Sequence, residues 1–281
     1  MAIDLTVKFA PYVDEQFKAE SKRELLTNDD YDWTGAHTIR IYKISTSAMN
    51  DYKRNADALN ETSDWSRFGP VKDLDAITEE LTLKNDRSFT FAVDKLDQDE
   101  TQQQLAGATA LARQDREVVI PEVDSYVYGV MVENAGHKPA AVALTAENVY
   151  EEILKGSTAL DDAEVPDTER VLLVSPTVFA MLKMNPMIGM SSDIVQEMRN
   201  RGVLGMLDGA AVVKVPASRV PEGFGFMLAH KSATVAPVKL EDYRVHVDPP
   251  GISGSLVEGR ICYDAFVLDN KKNAIYYQAM A

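Results

Sequence analysis

Residues 50–77 form a long polar stretch, rich in Asp, Asn, Ser and Lys, in which no apolar period of either kind persists. Connections inside compact domains rarely exceed about 12–15 residues, so this stretch is too long for an ordinary turn. Residues 81–93 then alternate apolar and polar side chains around Asn85-Asp86, which predicts a β-hairpin. Such an excursion, closed by a hairpin, predicts either a flexible insertion or a projecting loop that meets a partner.

The segments on either side of this stretch predict one strand and one long helix. Thr38–Ile44 alternates with apolar side chains on both faces, which indicates a strand buried on both sides. Acidic residues near Asp99 favour a helix start, and helical spacing continues to Val119. Pro121 is expected to kink or end that first stretch before helical residues resume.

Residues 145–215 have the order helix, strand, helix, helix, strand, which predicts an α/β unit. Thr145 is expected to cap the first helix and Gly156 to end it. Residues 171–174 are wholly apolar, typical of a strand buried on both faces, and Ser175-Pro176 is typical of a helix start. From position 223 the chain is β-rich, and residues 256–268 and 274–278 are expected to form a closing antiparallel pair.

Composition excludes several function classes. The chain has 281 residues, 45% of them hydrophobic, and no apolar run long enough to cross a bilayer, so we expect a globular protein made in the cytosol with no membrane partner. The net charge of −15 argues against a broad basic surface that binds nucleic acid, and any contact with DNA should be weak and independent of sequence. One cysteine, Cys262, and four scattered histidines predict no zinc site.

Motifs for catalysis are missing from the sequence. It contains no GxxxxGK[ST], GxSxG or HExxH pattern, and its acidic cluster at residues 161–169 is typical of a solvated loop. Cys262 lies in a strand-like run and is expected to be a small buried side chain. We therefore predict no catalytic residue, no cofactor and no metal.

The order of these elements resembles the major capsid proteins of tailed bacteriophages with the HK97-type fold, over nearly the whole chain. The resemblance rests on the order of six features along the chain. These are a polar N-terminal arm, the strand Thr38–Ile44, the polar excursion of residues 50–77 with the predicted hairpin, the long helix from about Asp99, the run Val171-Leu172-Leu173-Val174-Ser175-Pro176, and the β-rich end. It implies an α+β fold with an N-terminal arm (1–37), a peripheral-domain strand (38–47), an extended loop (48–93), a peripheral domain with a spine helix (94–142), an α/β axial domain (143–240) and a C-terminal β-rich part (241–281).

The resemblance also implies a function and partners. The chain would self-assemble into hexamers and pentamers of an icosahedral head around double-stranded DNA, residing in the virion and, before assembly, in the host cytoplasm. Because many relatives carry a long N-terminal scaffolding segment and this sequence starts at Met1 without one, we expect a separate scaffolding protein. A portal protein is expected too. The sequence does not indicate whether a decoration protein is present. No covalent cross-link is expected.

Two alternatives stay open at this point: an encapsulin-like compartment shell, and a soluble α/β enzyme built on residues 145–215. For the capsid interpretation, isolated charges and aromatics on the arm and the excursion are the expected contacts between subunits. These candidate interface residues are Phe9, Tyr12, Arg54, Arg67 and Lys72.

Overall fold

The computed structural model describes residues 20–28, 31, 38–54, 66–71, 73–96, 107–185 and 205–281. Contacts along the chain divide it into two compact units: Trp33–Leu83 forms one, and Met1–Asp32 with Lys84–Ala281 forms the other. The smaller unit is built on a two-stranded sheet of β1 (Thr38–Ile44) and β2 (Ala76–Thr82). The larger unit contains the remaining sheets and the four helices described below.

The longest helix of the described residues covers 107–134 in three parts, which together we call the spine helix. These are α1 (Gly107–Gln114), a π-helical turn (Asp115–Val119) and α2 (Ile120–Asn134). Pro121 does not end the helix. Proline has no backbone N–H to donate and its ring needs extra space near the preceding turn. The wider π-helical turn Asp115–Val119 lies directly before it and provides that space.

A five-stranded mixed sheet belongs to the larger unit. In spatial order its strands are β12 (Ile275–Ala279), β7 (Phe224–His230), β4 (Arg170–Val174), β6 (Ala210–Lys214) and β5 (Met206–Leu207). Its strands β4 and β6 are parallel, whereas the other neighbours are antiparallel. Every residue of β4 and β7 is buried.

The two faces of this sheet line two separate apolar cores. Val171 and Leu173 of β4 belong to one core, together with spine-helix residues such as Val127. Leu172 and Val174 point to the opposite face and belong to the second core. That second core is formed with two helices, α3 (Val149–Asp162) and α4 (Pro176–Met184). The prediction of a strand buried on both faces is confirmed here.

Side-chain oxygens accept backbone hydrogen bonds at the start of α4 and in the turn that leads into α3. Ser175 Oγ accepts a hydrogen bond from the Val178 amide at 3.3 Å, as the sequence predicts. Thr145 Oγ1 accepts from the Asn148 amide at 3.3 Å, and Asn148 Oδ1 accepts from the Thr145 amide at 2.7 Å. This reciprocal pair resembles a capping box and satisfies donors that the helix start leaves open.

The prediction that Gly156 ends α3 is wrong, since the helix continues to Asp162. A side chain at Gly156 would place its Cβ 3.0 Å from Cδ1 of Tyr276 on β12. The missing side chain therefore lets the helix lie close to the sheet. Local sequence alone does not distinguish a glycine that allows close packing from one that ends a helix.

A three-stranded antiparallel sheet in the order β3-β10-β9 lies beside the spine helix. It consists of β3 (Asn85–Asp94), β9 (Val238–Val247) and β10 (Gly254–Tyr263). Gly107 of α1 lies against Val245, Ser255 and Val257 of this sheet. A further short pair consists of β8 (Thr234–Val235) and β11 (Phe266–Val267).

The predicted hairpin of residues 81–93 is wrong in its pairing, although both strands exist. β2 pairs with β1, and β3 pairs with β10 along ten residue positions. A two-residue turn of the favoured type needs positive φ, but Asn85 and Asp86 lie inside β3 and have none. The Lys84 amide, just before β3, donates to Asp264 Oδ2 at 2.8 Å.

The predicted closing pair of residues 256–268 and 274–278 is also wrong. β10 lies between β3 and β9, whereas β12 pairs with β7 in the other sheet. The 3-10 helix Asp269–Ala274 carries the chain between these sheets and does not turn it back on itself. β12 thereby contributes Ile275 and Tyr276 to the buried cores.

The described part of the N-terminal arm is fixed to the larger unit. Leu26 is fully buried in the spine-helix core, and the Asn28 amide donates to the Thr234 carbonyl at 2.9 Å. The carboxylate of Asp124 on α2 is also fully buried. It accepts from Ser21 Oγ at 2.6 Å and from Arg219 Nη1 at 2.8 Å.

These contacts make residues 20–28 a strap held on the spine helix. Arg23 Nη1 lies 3.9 Å from Asp124 Oδ1, so two arginines approach one buried carboxylate. Burial raises the pKa of Tyr128, which lies one helical turn further along α2, and Asp124 adds to that shift. The strap is therefore anchored by the buried carboxylate of Asp124 as well as by apolar contacts.

Candidate interaction surface

Two of the five candidate interface residues lie in the described part of the chain. Arg54 and Arg67 are both exposed and both belong to the smaller unit. Phe9, Tyr12 and Lys72 lie outside the described residues. The role of all five in subunit contacts stays a prediction.

Backbone hydrogen bonds continue the β1-β2 hairpin beyond its ladder. The Ser45 amide donates to the Asp75 carbonyl at 2.9 Å, and the Asp75 amide donates to Ser45 Oγ at 3.0 Å. Farther along, the Lys53 amide donates to the Arg67 carbonyl at 3.0 Å. The chain segments that carry Arg54 and Arg67 are thus brought together, and we call residues 38–54 and 66–82 the extended hairpin.

Ion pairs across the strands stabilise the extended hairpin. Arg40 Nε lies 2.6 Å from Glu80 Oε1, and Lys43 Nζ lies 3.0 Å from Glu79 Oε2. Opposite charges on facing strands contribute about 0.2–1 kcal/mol each. A two-stranded ribbon is marginally stable by itself in water, so these pairs alone do not explain its persistence.

Large apolar side chains are exposed along the extended hairpin. Phe68 is 76% exposed, and its ring meets the Tyr52 ring edge-on with centroids 5.1 Å apart. Contiguous exposed apolar surface marks interaction sites in soluble proteins. Among the described residues of this unit, the exposed large apolar side chains are Tyr42, Ile44, Met49, Tyr52, Phe68, Val71, Leu74 and Ile77.

Sequence reasoning missed most of this surface. It treated the apolar side chains on both faces of Thr38–Ile44 as a sign of burial, but Tyr42 is 72% and Ile44 is 68% exposed. The same pattern would have identified an interaction surface, because a strand that is apolar on both faces needs cover on both. Within the single chain that cover is incomplete.

The described residues were also compared with the requirements of a metal site and of a reactive cysteine. There, no group of three or more His, Cys, Asp or Glu side chains is arranged to hold a metal ion. Cys262 is partly buried in β10, next to Arg260 and Ile261.

Across the helices that the structure describes, none is both long and apolar enough to cross a bilayer.

Comparisons with known proteins identify the fold. No protein-family profile matches the sequence, and no curated protein sequence matches it significantly. A solved structure from Mycobacterium phage Che8 is similar with a TM-score of 0.75 and 16% identity, covering 98% of this chain and 96% of that one. The capsid structure of cyanophage P-SCSP1u is similar with a TM-score of 0.73 and 12% identity, covering 98% and 93%.

A virus-like particle from Pyrococcus furiosus is a weaker match. Its TM-score is 0.53 at 12% identity, over 92% of each chain. The matches span nearly the full length of both partners in every case, so they concern the whole architecture and not one shared motif. The chain therefore has the α+β HK97-type fold of phage capsid structures, with a spine helix and an extended hairpin whose apolar side chains are exposed.

Proposed function

We propose that this chain is the major capsid protein of a tailed bacteriophage. It assembles into hexamers and pentamers of an icosahedral shell that encloses double-stranded DNA, and it acts as a structural protein without catalysis. The observation that carries this proposal is the similarity to phage capsid structures over 98% of the chain, at TM-scores of 0.73 and 0.75.

The extended hairpin supports assembly with further copies of the chain. A ribbon of two strands with Tyr42, Phe68 and Ile77 exposed is poorly stabilised alone. Covering these side chains with a neighbouring subunit removes apolar surface from water and holds the ribbon in place. The same logic applies to every copy in a shell, which suits a self-assembling protein.

An encapsulin-like compartment is the second candidate, favoured by the similarity to the virus-like particle of Pyrococcus furiosus. Its TM-score of 0.53 is well below the 0.75 of the phage match, so the phage capsid is the better-supported assignment. The neighbouring genes separate the two candidates: portal and terminase genes indicate a virus, whereas a ferritin-like or peroxidase gene indicates a compartment. A soluble α/β enzyme is the least supported candidate, because the similar structures named above come from phages and a virus-like particle.

Partners follow from the proposal. The net charge of −15 favours weak contact with packaged DNA, since an acidic protein repels phosphates. A separate scaffolding protein, a portal protein and residence in the virion after assembly in the host cytoplasm belong to the same proposal. Shell formation by the purified chain with no second phage protein would remove the scaffolding protein from it.

Electron microscopy of the purified protein tests the proposal. The chain is expressed alone and together with the other head proteins of its genome, sized by light scattering and imaged in negative stain. Closed shells or capsomer rings are expected. A monodisperse monomer or dimer under both conditions would contradict the capsid assignment.

The candidate arginines can be tested in the same assay. Replacing Arg54 and Arg67 together with alanine is expected to lower shell yield while the subunit keeps its circular dichroism spectrum, because both side chains are exposed and neither supports the core. The matched control replaces two exposed cations of the larger unit, Lys155→Ala with Arg244→Ala. Equal yields for both double variants would remove Arg54 and Arg67 from the interface.

A further inference from the structure

His230, the last residue of β7, has a buried imidazole ring that caps the turn after the strand. The residue is 6% exposed, and the turn is the 3-10 helix Lys231–Ala233. The Ser232 amide donates to His230 Nδ1 at 3.2 Å, and Ser232 Oγ lies 2.9 Å from the same nitrogen. Because a backbone amide can only donate, Nδ1 is an acceptor here, which assigns the neutral ring with its proton on Nε2.

The turn Lys231–Ala233 is hydrogen-bonded to two other segments of the larger unit. The Glu169 carbonyl, just before β4, accepts from the first amide of the turn at 3.2 Å. On the C-terminal side, Lys271 Nζ donates to the carbonyl of the second turn residue at 3.2 Å. The Leu268 amide donates to the carbonyl of the third turn residue at 3.1 Å. The turn therefore joins the loop before β4 to the segment between β11 and β12.

The strap is attached directly after this turn. The Thr234 carbonyl accepts from the Asn28 amide at 2.9 Å, and Asn28 lies beside Val235 in a parallel β-bridge. Thr234 and Val235 make up the short strand β8, and both are buried. The turn immediately precedes β8, so its geometry sets the position of the strand. Loosening the turn is therefore expected to loosen the C-terminal end of the strap.

Charged groups of neighbouring segments act on the His230 ring. Burial lowers the pKa of His230, and the cations Lys271 and Arg170 lower it further. The Glu169 carboxylate and a hydrogen bond with the Thr168 backbone act in the opposite direction. Burial has the largest effect, so the ring in the closed turn takes up a proton less readily than a histidine in open chain.

We propose that His230 is a pH-sensitive latch: its neutral ring holds the turn Lys231–Ala233 closed, and protonation of the ring loosens the turn and the strap attached to it. A proton on Nδ1 removes the acceptor of the Ser232 amide and places a positive charge near Lys271 and Arg170. Ser232 Oγ can still accept from the protonated ring, so the turn is weakened and not destroyed. The inference does not depend on the proposed function, because every contact that it uses lies within one chain.

The direction of the pH effect follows from the linkage between protonation and opening. In an opened turn the His230 ring has its ordinary pKa of about 6.5, whereas burial lowers that pKa in the closed turn. The opened form therefore binds the proton first as the pH falls. The stability that the latch contributes is complete well above pH 6.5 and is lost below it. One proton changes the opening equilibrium by at most about tenfold per pH unit, so opening increases by up to about tenfold from pH 7.5 to pH 5.5.

Hydrogen exchange of the unassembled full-length chain, measured by mass spectrometry, tests the latch. The Asn28 amide reports on the strap, and the Leu268 amide reports on the turn. Dividing each exchange rate by the intrinsic rate at the same pH gives the opening equilibrium. Both amides are expected to open more at pH 5.5 than at pH 7.5, by more than about twofold and up to about tenfold.

Two histidine variants isolate the contribution of the latch. His230→Asn keeps an acceptor oxygen near the Nδ1 position and cannot titrate, so the pH dependence of both amides is expected to disappear. The matched control is His246→Asn, which replaces a 45% exposed histidine whose Nε2 lies 3.3 Å from Glu258 Oε2. It is expected to keep the full pH dependence, because His246 lies on β9, away from the turn.

A measurement on the unsubstituted chain guards against misfolding of the variants. Nuclear magnetic resonance follows the ring signals of the histidines during a pH titration, and His230 is expected to take up its proton below about pH 6.5. Titration of His230 at or above that pH would overturn the latch. Equal pH dependence in the two variants would also overturn it, as would a change of less than about twofold at both reporting amides of the unsubstituted chain. None of these outcomes bears on the capsid assignment, which particle formation tests separately.

Discussion

The anchoring of residues 20–28 on the spine helix predicts a large effect from one small change, Asp124→Asn. The substitution keeps the side-chain volume and removes the charge opposite Arg219, whose side chain is only 4% exposed. Breaking a buried ion pair by removing one partner costs about 3–5 kcal/mol. We expect about 3 kcal/mol, since Arg219 keeps its 3.4 Å contact with the Glu20 carbonyl.

Calorimetry and limited proteolysis of the unassembled subunit measure this effect. A loss of about 3 kcal/mol lowers the Tm by about 6–12 °C in a chain of this size. Trypsin cleavage after Lys22 and Arg23 should accelerate by up to about 100-fold, because the strap opens more often when Ser21 and Arg23 lose the carboxylate.

The matched control makes the same acid-to-amide change at an exposed pair. Glu80→Gln removes the partner of Arg40 on the extended hairpin, where exposed ion pairs contribute less than about 1 kcal/mol. It should leave cleavage after Lys22 and Arg23 unchanged. A Tm shift below about 2 °C for Asp124→Asn, with unchanged cleavage, would refute the anchoring role of the buried carboxylate.

Two further predictions concern the packing and the pH dependence of the larger unit. Gly225→Ala is expected to destabilise the fold by about 1–3 kcal/mol, because its Cβ would lie 2.7 Å from the Gln278 carbonyl oxygen. Gly129→Ala is expected to stabilise the spine helix by up to about 1 kcal/mol, because its Cβ would meet open space. Urea unfolding of both variants checks this, and equal changes would contradict the packing argument. For Tyr263, burial raises the folded-state pKa to about 12, above the unfolded value near 10, so its contribution is complete below pH 10 and is lost as the pH rises from 10 to 12. Tyr263→Phe should therefore lose less stability over that interval than the unsubstituted chain, and urea midpoints at pH 8, 10 and 11 that run parallel would contradict this.

Local patterns in the sequence predict much of this fold. The wholly apolar run 171–174 is the buried strand β4, and Ser175-Pro176 begins α4 with the expected cap. These features depend on residues close together in the chain, so period and capping chemistry are sufficient to find them.

Strand pairing could not be predicted in the same way. Residues 81–93 do contain two strands, yet β2 pairs with β1 and β3 pairs with β10. Strand pairing depends on packing against neighbouring strands and on burial, and β10 lies about 170 residues further along the chain. Nothing in the alternation of residues 85–94 identifies such a distant partner.

The role of the candidate surface stays a prediction, and the sequence did not reveal its composition. The polar excursion belongs to an extended hairpin in which Arg54 and Arg67 are exposed. Its apolar residues, such as Phe68 and Tyr42, were missed, because an apolar side chain is assigned to a core unless its exposure is known.

Cryo-electron microscopy of the purified particles tests the central claim most directly. We predict closed icosahedral shells of hexamers and pentamers, with the extended hairpin of each subunit covered by a neighbouring copy. Reconstructions in which Tyr42, Phe68 and Ile77 stay exposed would contradict the role given to the hairpin. A chain that forms no closed particle, alone or with its head proteins, would contradict the capsid assignment itself.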